Sequence, residues 1–129
     1  MVNKKGNPQK TILTIEDTPS DQRFIQRVLE KDGYKVLTAD NGKSGLRIAK
    51  AQKPDLIILD EILPDIRGTE VCGLLKIDAE THNIPVLFLT VVDDPKNILG
   101  HFEMDVMAHL TKPIKAEDLL KQIQAVLER

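Results

Sequence analysis

Five side chains are of types that suit one chemistry, provided the fold gathers them. Glu16 and Asp17 are adjacent carboxylates that directly follow the apolar run TILTI (11–15). Asp60 closes a second run, LIIL (56–59), and Thr90 closes a third, VLFLT (86–90). Lys112, with Pro113 behind it, follows AHLT (108–111). Three carboxylates held within a few ångströms repel one another and do not all stay ionised without a cation. Hard oxygen ligands with room for water suit Mg²⁺ or Mn²⁺. A cation there lets a phosphoryl group approach a carboxylate, and an ammonium and a hydroxyl then hold its oxygens. The chemistry is phosphoryl transfer onto an Asp, stabilised mainly by electrostatics. Taken singly, each residue has a plainer reading. An acid after a strand caps a helix, a lone Lys is a solvated charge, and a lone Thr is an ordinary strand residue.

The alternation of elements decides between those readings. The runs 11–15, 35–39 (KVLTA), 56–59, 86–90 and 108–111 are short, apolar and rich in β-branched residues, so they predict five strands. Segments with helical spacing lie between them. Phe24, Ile25, Val28 and Leu29 form one stripe, and Leu46 with Ala49 a weaker one. Val71, Leu74 and Leu75 form a third, and Leu119, Leu120, Ile123 and Leu127 a strong further one. The segment 95–103, with Ile98, Leu99 and Phe102 apolar and Pro95 suited to a first turn, predicts another helix, making five in all. KDGY (31–34) places a Gly at a helix C′ position, ADNG (39–42) is a turn signal, and Pro54 and Pro85 precede strands. Strands alternating with helices predict an α/β fold, with a mostly parallel sheet covered on both faces. The first, third and fourth strands are the most apolar and read as its centre. Ligands of such a sheet bind beyond the carboxyl ends of its strands, where the five chemical side chains stand.

A chain of 129 residues, 41% hydrophobic and 29% charged, suits a single domain with its own core. The charged start MVNKKGNPQK lacks a secretory h-region, and residues 1–10 read as a flexible tail ahead of a domain over 11–129. The lone Cys72 excludes an internal disulfide, fits a reducing cytoplasm and reads as a small packed residue. A net charge of −2 gives no drive toward nucleic acid, and no apolar run approaches the roughly 20 residues needed to span a bilayer.

Glu16–Asp17, LDEILPDIRG around Asp60, PVLFLT ending at Thr90 and LTKP ending at Pro113, in that order, resemble the receiver domains of two-component response regulators, such as the chemotaxis response regulator. The resemblance runs from about Thr11 to the C-terminus. It implies a flavodoxin-like doubly wound sheet in the order 2-1-3-4-5 with five helices. It implies that Asp60 accepts a phosphoryl group from a histidine kinase or phosphotransfer domain. Asp17, Asp60 and the backbone carbonyl of Ile62 would bind Mg²⁺ directly, and Glu16 through water. Thr90 would bond a phosphoryl oxygen and move inward on activation, while Lys112 would pair with the phosphoryl group. The Lys112–Pro113 bond would be cis, and Pro64 and Gly68 would shape the loop after Asp60. Glu61 would point away from the site, since strand residues alternate faces. The output would be an unknown partner or a fused output domain.

The chain also departs from the family pattern. His109 stands where receivers carry a Tyr or Phe that swings between rotamers, and it reads either as a preserved switch or as a less effective substitute. Val91 follows Thr90 where Ala or Gly is usual, and its bulk would narrow access to the site. Asp105–Ala108 reads DVMA in place of GADD, so the acidic pair of many dimerising regulators is missing and Met104, Val106 and Met107 make that face more apolar. Ile62 and Val92 flank the path of a hydrolytic water in this family, and neither can orient it, which predicts slow self-dephosphorylation. His82 and His101 read as exposed, and Asp65, Asp93 and Asp94 as loop charges. Phe24 and Ile25 are candidates for the kinase-docking edge, although the core has a claim on both. Two alternatives remain. One is a receiver-fold interaction module with little phosphorylation-dependent signalling. The other is an Asp-nucleophile phosphatase, which lacks its general acid because position 62 is Ile.

Overall fold

The computed structural model describes residues 2, 6, 8–90 and 108–128. Five strands and four helices are found among them. The strands are β1 (Thr11–Ile15), β2 (Lys35–Ala39), β3 (Leu56–Asp60), β4 (Val86–Thr90) and β5 (Ala108–Thr111). The helices are α1 (Pro19–Lys31), α2 (Gly42–Gln52), α3 (Gly68–Ile77) and α4 (Ala116–Leu127). The expected helix over 95–103 lies outside the described residues, as do Val91, Val92, His101, Met104 and Asp105–Met107. The count of five helices therefore becomes four among those described.

The sheet runs in the order β2-β1-β3-β4-β5, and every pairing is parallel. Burial explains the strand sequences. Every residue of β3 and β4 is buried, and β1 is buried from Ile12 onward, so these strands are apolar on both faces. β2 and β5 form the edges and keep exposed polar positions. Leu13, Ile15, Ile57, Leu59 and Phe88 face α2 and α3 in one core. Ile12, Leu56, Ile58, Leu87 and Leu89 face the opposite way, in a core with α1 and α4. Each fully buried aliphatic or aromatic side chain contributes about 1.5–3 kcal/mol.

Local signals place the helix ends. Pro19 opens α1, and Gly33, at φ +93°, follows its C-cap Asp32. Tyr34 N–H then donates back to the Leu29 carbonyl. Asn41 caps α2, its Oδ1 accepting from Ser44 N–H at 2.9 Å. The α1 stripe divides: Ile25 and Leu29 are fully buried, whereas Phe24 is 39% exposed. Ile25 is therefore a core residue, and only Phe24 of the proposed docking pair reaches the surface. Cys72 is buried, as expected of a small packed residue. No helix among the described residues is long and apolar enough to cross a membrane.

Candidate functional site

The carboxyl ends of β1, β3 and β4 and the residue after β5 meet on one rim. Glu16 follows β1, its N–H bonded to the Ala39 carbonyl at 3.0 Å, and its side chain is buried. Asp60 is the last residue of β3 and is buried. Its backbone pairs in register with Leu89, one residue before Thr90. Thr90 closes β4, also buried, and its carbonyl accepts from Lys112 N–H at 2.8 Å. The Lys112–Pro113 peptide bond is cis.

Glu16, Asp17 and Asp60 each place a carboxylate oxygen within 4.8 Å of the others. Glu61 is not in this group; it too is buried, and its N–H bonds the Leu89 carbonyl. Lys112 Nζ sits among the acids, 3.1 Å from Glu16 Oε1, 3.0 Å from Glu16 Oε2 and 3.1 Å from Asp60 Oδ2. A third carboxylate also reaches it: Asp21 Oδ2 lies 3.0 Å from the same nitrogen.

The electrostatics follow from this crowding. Burial pushes the Glu16 carboxyl up to about 7 from 4.5; the Lys112 hydrogen bond opposes the rise, the Asp60 charge adds to it, and Thr18 N–H, bonded to Oε1 at 3.0 Å, opposes it. Burial alone would lower the Lys112 ammonium, but the hydrogen bonds it donates to Glu16 and Asp21 and the charge of Asp60 outweigh that and raise it. A buried acid raised in this way, beside an exposed Asp17 and a buried Asp60, is a donor set of hard oxygens short of positive charge. The residues present therefore fit a divalent cation.

The neighbouring residues are also placed. Ile62 is 57% exposed, and its N–H lies 3.4 Å from Asp60 Oδ1. His109 is half-buried on β5, paired in register with Phe88, and the rings stack with centroids 6.3 Å apart and planes 18° from parallel. Gly68 is required by contact, since a Cβ there would meet the Asp60 carbonyl oxygen and lie 2.8 Å from Glu61 Cα. His82 is exposed. Asp65, expected to be a plain loop charge, instead accepts from Gly42 N–H at 2.8 Å and Lys43 N–H at 2.9 Å. Those bonds, that of Lys43 first, hold its carboxyl down to about 2. It fastens the loop after β3 to the start of α2. Sequence reading missed the roles of Asp65 and Asp21. Asp21 had a faint signal, an acid in a first helical turn four residues after Asp17. Asp65 had none, since its partners lie more than 20 residues away.

Comparison with known proteins identifies the family. Residues 12–124 match the family model described as response regulator receiver domain. The chain is 37% identical over 116 residues to protein PilH of Pseudomonas aeruginosa, covering 90% of this chain and 96% of PilH. It is 35% identical over 120 residues to the alkaline phosphatase synthesis transcriptional regulatory protein PhoP of Bacillus subtilis, covering 93% of this chain but only 49% of PhoP. Among solved structures, chemotaxis protein CheY4 of Vibrio cholerae superimposes with a TM-score of 0.88 at 28% identity, covering 93% of this chain and all of that one.

Proposed function

The chain belongs to the response regulator receiver domain family of two-component systems, and from that premise we propose that Asp60 is its phosphoacceptor. The observation that carries the reading is a buried Asp60 carboxylate 3.1 Å from Lys112 Nζ, with oxygens of Glu16 and Asp17 alongside. Asp60 Oδ attacks the phosphorus of a phosphohistidine on a histidine kinase or phosphotransfer domain. The new O–P bond forms as the P–N bond breaks, and the imidazole leaves with the electron pair. Lys112 holds a phosphoryl oxygen by charge, and the Thr90 hydroxyl holds another and carries the change into the sheet, with His109 following on β5. The Glu16, Asp17 and Asp60 carboxylates and the Ile62 carbonyl would hold Mg²⁺ or Mn²⁺, which supplies positive charge against the phosphoryl oxygens. The protein is a switch whose only catalysis is its own phosphoryl gain and loss, not an enzyme with a separate substrate. Its output goes to a partner or to a fused domain, since the chain spans about half of the transcriptional regulators that it resembles. A single cysteine, the buried Cys72, fits a cytoplasmic setting.

The test is acetyl phosphate with Mg²⁺, followed by intact mass. Wild type gains a phosphoryl group and Asp60→Asn does not; equal labelling of the two overturns the assignment. Beryllofluoride with Mg²⁺, watched by amide NMR, separates the switch from a passive interaction module. Shifts at Thr90 and His109 mark the switch, and unchanged resonances there mark the module.

A further inference from the structure

The Lys112 ammonium has three N–H donors, and three carboxylates already surround it: Glu16, Asp21 and Asp60. No donor is spare. A phosphoryl oxygen arriving on Asp60 gains Lys112 only if a present partner yields. The three partners differ in how readily they can do so. The Glu16 and Asp60 side chains are 0% and 6% exposed, whereas Asp21 is 37% exposed. Releasing either buried carboxyl group leaves it without its partner away from water, which is costly. Asp21 can turn to solvent with little loss, as exposed ion pairs are weak. Asp21 also stands outside the group of three acids whose oxygens could share a cation, so a bound metal leaves its claim on Lys112 intact.

We propose that Asp21 is a positioning residue for Lys112, holding the ammonium over Asp60 in the resting state and competing with the phosphoryl group for it on activation. This rests on the phosphoacceptor reading above. Asp21 then sets how much of the receiver is switched on at a given supply of phosphoryl donor. A plainer role is available to an acid in the first turn of α1, namely favourable interaction with the helix N-terminus. That role predicts a change in stability and no change at Asp60.

The experiment titrates beryllofluoride into wild type, Asp21→Asn and Asp21→Glu at saturating Mg²⁺. It is followed by amide NMR and by the Lys112 side-chain Cε resonance. Removing the competitor is expected to tighten beryllofluoride about two- to fivefold in Asp21→Asn, with the Lys112 resonance already displaced before ligand is added. Asp21→Glu keeps the charge and stays near wild type. Equal or weaker binding by Asp21→Asn overturns the proposal, and so does tighter binding with an unmoved Lys112 resonance. Wild type that takes up no beryllofluoride overturns the phosphoacceptor reading itself, and this one with it.

Discussion

Glu16 is where burial and charge conflict most openly. Its carboxyl is pushed up to about 7 by burial against a weaker pull from Lys112. Since the folded value lies above 4.5, the metal-free fold prefers the neutral acid. The stability from this group is fully present below about 4.5 and is lost as pH rises toward about 7. A cation needs the carboxylate, so binding must displace a proton below neutrality. Mg²⁺ affinity is therefore expected to rise about tenfold between pH 6 and pH 8, and Glu16→Gln should flatten that profile. Titration at several pH values checks this; a profile of wild type that is already flat would contradict it. Ile62 carries a second prediction. Its exposed aliphatic side chain beside Asp60 cannot orient an attacking water. Phosphate release from the phosphorylated protein should be slow, and Ile62→Asn should hasten it. Loss within seconds from wild type would sink the idea.

The loop between β3 and α3 shows how elements hold those residues in place. Gly68 leaves no room for a Cβ beside the Asp60 carbonyl, and its N–H donates to the Glu61 carbonyl at 2.9 Å. Gly68→Ala would press a methyl into the Asp60 carbonyl. It should cost about 1–3 kcal/mol of stability, and it should lower phosphorylation because Asp60 must shift. Asp65 fixes the far side of the loop to α2 through two backbone N–H groups. Its lowered carboxyl contributes stability that is present above about 3.8 and lost as pH falls toward about 2. Asp65→Ala should lower the thermal midpoint at neutral pH and remove that acid-side dependence, as unfolding scans against pH would reveal. The two cases also mark what the sequence can disclose. All five strands and the four described helices were legible, because burial on both faces forces apolar runs and Gly or Pro ends them. Asp60, Thr90 and Lys112 were legible because they close or directly follow such runs. Asp21 and Asp65 were not, because their roles depend on which neighbour the fold brings alongside, and no local pattern records that.

For the molecule as a whole, the sheet serves two ends that oppose each other. Its faces are two apolar cores, while its carboxyl rim gathers Glu16, Asp17, Asp21 and Asp60 around Lys112. The cores provide the stability that lets like charges sit close together, and a functional site of this kind is held at a cost to the fold. A bound cation should therefore act as a structural ligand too. At a free Mg²⁺ concentration 100 times its dissociation constant, the gain is about 2.7 kcal/mol by mass action. Asp17 is exposed and is the one acid of the cation group without a close contact to Lys112 among the ion pairs of the described residues. Asp17→Asn removes a donor and a repulsion together, so its metal-free form should unfold no more easily than wild type while most of the Mg²⁺ gain disappears. Denaturant melts of both proteins, with Mg²⁺ and with chelator, measure the two quantities at once. An Asp17→Asn protein that still gained as much from Mg²⁺ as wild type would remove Asp17 from the cation site.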